Sequence, residues 1–122
     1  MFQPIAALSG IGNIVNGKLL KGRSNIAGEA QYLPLALSDE KLVLNKTPEG
    51  AIELVAKQIL AIISLLDPEA ILIGCVLIPH VEELRIELEK YIPSAYIPDL
   101  VKIEFMQEYI VLGQFILCLQ ET

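Results

Sequence analysis

Cysteine, histidine and basic charge are all scarce in this chain, and each scarcity removes a class of function. Two cysteines, Cys75 and Cys118, and one histidine, His80, are its only thiol and imidazole ligands. The cysteines lie far apart and form no Cys-x-x-Cys pair or Cys/His cluster, so a zinc site has no basis and no metal is expected. They read instead as small buried hydrophobes in a reducing compartment. His80 follows Pro79 near the expected start of a helix, where it reads as a solvated or capping residue, and no Ser/His/Asp or Cys/His set builds around it. Lys and Arg number 9 against 15 Asp and Glu, a formal charge of -6, which argues against this chain gripping a nucleic-acid backbone. Long apolar runs are also missing. Residues 59–66 and 70–78 are interrupted by Asp67-Pro68-Glu69, Gly74 and Pro79, too soon for a membrane span. The first eight residues lack the basic start of a secretory signal. No membrane contact and a cytoplasmic location are therefore expected.

Apolar residues, by contrast, make up 53% of the 122 positions. That suits one domain, residues 1–122, with a core large for its length. It also leaves apolar surface to hide, which predicts an interface with a missing lobe or a homo-oligomer.

Periodicity then orders the elements. Asn16-Gly17 between Ile14-Val15 and Leu19-Leu20 predicts a two-residue hairpin turn. Residues 22–34 lose periodicity and read as an exposed loop, the kind of segment that carries function. Residues 38–46 read as linker with a short strand or turn. Thr47-Pro48-Glu49 combines an N-cap, a proline in the first turn and an acid at the positive helix end. A helix follows, with Ile52, Val55, Ala56, Ile59, Ile63 and Leu66 as its buried stripe. Residues 70–74 form a continuous apolar run, the pattern of a parallel strand covered on both faces. A second helix opens at Pro79, with Val81, Leu84, Leu88 and Tyr91 facing the core and Glu82, Glu83, Glu87 and Glu89 solvated. Val101, Ile103 and Phe105 alternate with polar or flexible residues as in a half-exposed strand, and residues 109–119 suit a buried terminal helix.

Local motifs point further. Leu8-Ser9-Gly10-Ile11-Gly12 and its hairpin precede Gly22-Arg23-Ser24-Asn25-Ile26-Ala27-Gly28-Glu29, and Pro68-Glu69-Ala70-Ile71-Leu72-Ile73-Gly74 comes later. In this order they resemble the C-terminal half of the ROK family (repressors, open reading frames and sugar kinases). The resemblance covers about residues 8–74. It implies an α/β architecture, the C-terminal half of an actin/hexokinase-like (ribonuclease H-like) ATPase fold, with a β-hairpin followed by alternating helices and strands. It also implies a site. The family's glutamate in Ala-Gly-Glu accepts hydrogen bonds from sugar hydroxyls, work that suits a charged two-oxygen acceptor. Glu29 is the matching residue. Ser9, Gly10 and Gly12 match the family's nucleotide-phosphate turn, where backbone N–H groups approach an anion. Gly74 matches the first of two glycines on the adenine side. Each feature also has a plain structural reading: a glycine turn, an exposed acid after a turn, and a core strand ending at glycine.

The departures form a pattern. Gln31 and Tyr32 stand where the family carries glycine and its sugar-contacting, zinc-ligating histidine. Tyr32 can stack on or hydrogen-bond a sugar but is a poor zinc ligand. The family's cysteine-rich zinc loop is absent, and Cys75 replaces the second adenine-side glycine. No Asp-x-Gly-x-Thr phosphate loop and no Asn-Asp pair occur; in the family both belong to the other lobe. By itself, then, the chain is not expected to transfer phosphate. The expectation is the sugar-sensing lobe of a ROK-type transcriptional regulator, with a small-molecule sugar and the missing N-terminal lobe as partners. No cofactor is expected, and ATP with Mg enters only under the alternative of a hexose or N-acyl-hexosamine kinase lobe. A third alternative is a degenerate oligomerisation module. Lys18, Lys21 and Arg23 form a small basic cluster beside the glycine loop that reads equally as surface or as an anion contact.

Overall fold

The hairpin forms where Asn-Gly places it, because both turn residues must take positive φ. A computed structural model of the chain describes residue 1 and residues 10–29, 32–33 and 46–103. Strands β1 (Ile14–Val15) and β2 (Lys18–Leu19) pair antiparallel, Ile14 with Leu19 and Val15 with Lys18. Asn16 and Gly17 have φ of 52° and 75°, the signature of the type I′ turn that matches strand twist. All four strand residues are exposed. The hairpin therefore stands clear of the main core.

Helix α1 (Pro48–Leu66) starts as its sequence predicts: Thr47 caps it, its Oγ1 accepting from the Gly50 N–H at 3.1 Å, with Pro48 in the first turn. A Lys57–Glu53 ion pair at 3.1 Å lies along one flank. The helix ends on Asp67, which takes a left-handed φ of 44° and donates its N–H to the Ile63 carbonyl; Pro68 then forbids continuation.

Strand β3 (Ala70–Ile73) pairs in parallel with β4 (Asp99–Lys102), Ile71 opposite Leu100 and Ile73 opposite Lys102. The crossover between them holds helix α2 (Val81–Glu89) and a 3₁₀ turn at Ser94–Tyr96. On the other edge of β3, Met1 donates its amino group to the Leu72 carbonyl at 2.8 Å and accepts from the Gly74 N–H at 2.9 Å. That places residue 1 in parallel register against Ile73, so β3 has partners on both sides. Buried side chains of both helices, including Val55, Ile59, Leu84 and Leu88, meet Ile71, Ile73, Cys75, Ile78 and Ile97 in one cluster.

Several sequence expectations are corrected here. β3 is buried on one face only: Ile71 and Ile73 are buried, while Ala70 and Leu72 are exposed. A short apolar run is not proof of two covered faces when half of it is alanine and a single leucine. The stripe of α1 differs in part. Val55, Ala56 and Ile59 are buried and Ile52 and Ile63, half-buried, pack against the core as expected, but Leu66 is exposed, and Ala51, Leu54 and Gln58 are buried as well. α2 opens at Val81 with His80 at the N-cap, exposed and making no side-chain cap, and Tyr91 is exposed beyond its end. In β4, Val101 faces out and Leu100 is half-buried, the reverse of the expected alternation. The stretches 2–9, 38–45 and 109–119, with Cys118, lie outside the described residues. Among those described, no helix is long and apolar enough to cross a membrane.

Because Ile59 is fully buried and Leu65 is exposed on the same helix, Ile59→Ala should lower unfolding free energy by about 2–5 kcal/mol. Leu65→Ala should change it by less than about 0.5 kcal/mol. Equilibrium chemical denaturation of the two variants checks the difference.

Candidate functional site

Gly28 places the loop. Its φ is +90°, and a Cβ built on it would lie 1.9 Å from the Ile11 carbonyl oxygen. No side chain fits there. The two backbones also share a hydrogen bond, the Ile11 N–H donating to the Gly28 carbonyl at 3.1 Å. Ile11 of the glycine segment 10–12 and Gly28 of the Ala27-Gly28-Glu29 step, separate motifs in the sequence, thus meet backbone to backbone. Gly22, at φ +77°, lets the intervening chain reverse, and the Ala27 N–H reaches the Lys21 carbonyl at 3.4 Å.

Glu29 follows immediately in two linked turns: its N–H donates to the Ile26 carbonyl, and its own carbonyl accepts from the Tyr32 N–H, both at 3.1 Å. Its carboxylate is exposed and makes no hydrogen bond or ion pair with the described residues. It lines a hollow of about 200 Å³ between the loop and the last two turns of α1. The helix contributes Ala61, Ile62, Leu65 and Leu66, the loop Ile11, Asn13, Ile26, Gly28 and Leu33. Positions 61, 62, 65 and 66 stack as two i,i+4 pairs on one face of the helix, which gives the hollow an apolar wall. Its polar side chains are Asn13 and Glu29. A second hollow, on the other side of Ile11, is lined by Gly12, Lys21 and Asn25 among others.

The expected site residues are therefore divided. Glu29 lies in the first hollow. Gly12 lies on the second, as does Lys21; Gly10 is exposed, with open space where a Cβ would stand, and Ser9 lies outside the described residues. Tyr32 is 70% exposed and lines neither hollow. Gly74 is buried at the end of β3, paired with Met1, and also lines neither. Just beyond it, Cys75 is buried in the core with a free thiol. The Lys102 ammonium donates to the Cys75 carbonyl and, at 2.9 Å, to the Ile78 carbonyl. This side chain fastens the turn after β3 to the end of β4, so the C-terminal edge of the parallel pair is occupied by a structural cation.

The sequence marks neither Asn13 nor Lys102 as a site residue, and of the α1 wall it marks Leu66 only as part of the buried stripe. For the wall a signal existed: Leu65-Leu66 ends an apolar helix directly before Asp67-Pro68, where a last turn often projects beyond the core. For Asn13, between β1 and the glycine turn, there was none. Among the described residues no group of three or more His, Cys, Asp or Glu could hold a metal ion.

Gly28→Ala should abolish hydrogen-exchange protection of the Ile11 amide while leaving the amides of β3 and α2 protected. Gly10→Ala, with open space around its new Cβ, should retain that protection. Equal loss in both variants would mean that the loop is not held by the Gly28 contact.

Compared with family models, curated proteins and solved structures, the chain matches none.

Proposed function

We propose that this chain is the sugar-sensing lobe of a ROK-type transcriptional regulator, acting in the cytoplasm without catalysis of its own. The single observation that carries the reading is the seating of Gly28 on Ile11, which sets the Glu29 carboxylate at the mouth of a hollow with no described cation to neutralise it. A carboxylate held this way is a ready acceptor for adjacent hydroxyl donors. Tyr32, three residues on and exposed, is the second contact, offering its ring and hydroxyl.

Several features favour a sensor over a kinase lobe. The chain has no Asp-x-Gly-x-Thr loop and no Asn-Asp pair. At the adenine-side turn, Cys75 stands in place of a second glycine and Lys102 fills the strand ends. A sensor requires only that sugar bind one conformation better than another. In this reading sugar draws this lobe toward its N-terminal partner lobe, and the DNA-binding element lies elsewhere, in keeping with the -6 charge here. The parallel β3–β4 pair, with Met1 on the opposite edge of β3, supports an α/β lobe of the ribonuclease H-like kind.

Hydrogen bonds to a charged acceptor contribute about 1.5–3 kcal/mol. Glu29→Gln should accordingly weaken binding of the recognised sugar at least tenfold, with the unfolding midpoint unchanged because the side chain is exposed. Isothermal titration with a panel of hexoses and N-acetylhexosamines measures it. Undiminished affinity in Glu29→Gln would remove the carboxylate from the site and the reading with it.

A further inference from the structure

The hollow beside Glu29 is far more apolar than a free sugar requires. Ile62, Leu65 and Leu66 form its wall, Ile26 its opposite lip, and only Asn13 and Glu29 bring polar side chains. Leu65 is 79% and Ile26 60% exposed, so uncovered hydrocarbon lines the same hollow as the carboxylate. Eight of its ten lining residues carry no polar side chain, so water in the hollow has few side-chain partners. An apolar group placed there releases that water and covers the lip.

Charge narrows the ligand at the other end. A carboxylate without a described cation partner repels carboxylate and phosphate ligands, and it accepts hydrogen bonds without donating them. Asn13 supplies the complement, an amide that both donates and accepts. Together they suit neighbouring hydroxyls, one donating to Glu29 and another engaging Asn13. We infer that the hollow binds an aryl or alkyl glycoside, its sugar hydroxyls on Glu29 and Asn13 and its aglycone against Ile26, Ile62, Leu65 and Leu66. This rests on the sugar reading of Glu29 and adds the aglycone as the group that sets affinity and specificity.

The test titrates the chain with matched methyl and phenyl β-glycosides of glucose, galactose and N-acetylglucosamine, followed by isothermal calorimetry. In at least one pair the phenyl glycoside should bind tenfold or more tightly than its methyl partner, a difference that burial of about two methylene equivalents already supplies. Leu65→Gln, exposed and therefore tolerated by the fold, should bring the pair within about threefold. Glu29→Gln should weaken both members alike. Methyl and phenyl glycosides binding equally, with Glu29→Gln still weakening both, would overturn the aglycone inference and leave the sugar reading in place. Binding of neither member of any pair would overturn both. Benzylamine binding more tightly than every phenyl glycoside would also overturn the inference, because the carboxylate would then be selecting a cation rather than hydroxyls.

Discussion

The site depends on one backbone-to-backbone contact, Gly28 against Ile11. Two constraints coincide there: a φ of +90° and a Cβ position 1.9 Å from a carbonyl oxygen. Either alone favours glycine; together they admit nothing else without moving the loop. The single hydrogen bond between the segments, 3.1 Å long, contributes only about 0.5–1.5 kcal/mol net. The exposed residues of the hairpin contribute little burial, since Ile14 is 74% and Val15 51% accessible. The loop that carries Glu29 is therefore held by local geometry more than by the core. Such a region sits at the low end of a structure's local stabilities, where a ligand that bridges loop and helix orders it most effectively.

Helix α1 links this soft region to the firm one. Its buried residues run from Gly50 to Ile59 and pack with α2 and β3. Along its last two turns Leu60, Ile62 and Ile63 still pack against the core, while Ala61, Ile62, Leu65 and Leu66 line the hollow. One rigid element thus serves as core at its start and as site at its end, and a shift of its C-terminal end would be felt by the packed cluster. At the opposite end of the fold, Lys102 spends its charge on two carbonyls of the turn after β3. The Cys75 carbonyl also accepts from the Ile78 N–H at 3.2 Å, so Lys102 adds a charged donor to a turn that already closes on itself. That cation fixes the turn and closes a place where open α/β sheets commonly take ligands.

What could be read from the sequence was what short-range chemistry decides. Asn16-Gly17 encodes positive φ at two successive residues, and Thr47-Pro48 encodes a cap and a first turn; both features form as expected. Burial was legible only in part. Leu66 continues the helical stripe but lies past the reach of α2 and β3. Leu72 belongs to an unbroken apolar run yet faces out, and Val101 fits an alternation whose phase is set by pairing with β3. Period alone does not say which partner is present, and the partner decides. Glu29 was found through a local word, whereas Asn13 shares its hollow only because the Gly28 contact folds residue 28 back onto residue 11. No spacing in the chain encodes that return.

Under the proposed reading, carboxylate and wall have separate tasks. A hydrogen bond from a hydroxyl to Glu29 replaces one from water, so its net worth is modest and strongly directional. Contact with Ile62, Leu65 and Leu66 is non-directional and grows with the area covered, at roughly 25 cal/mol per Å². The acid then selects and orients, while the helix face supplies affinity. Because that face is the exposed end of a helix anchored in the core, ligand contact acts on the element most rigidly connected to the rest of the lobe. The loop holding the acid is free to adjust. A sensor built in this way places adaptability on the side that recognises and stiffness on the side that must report.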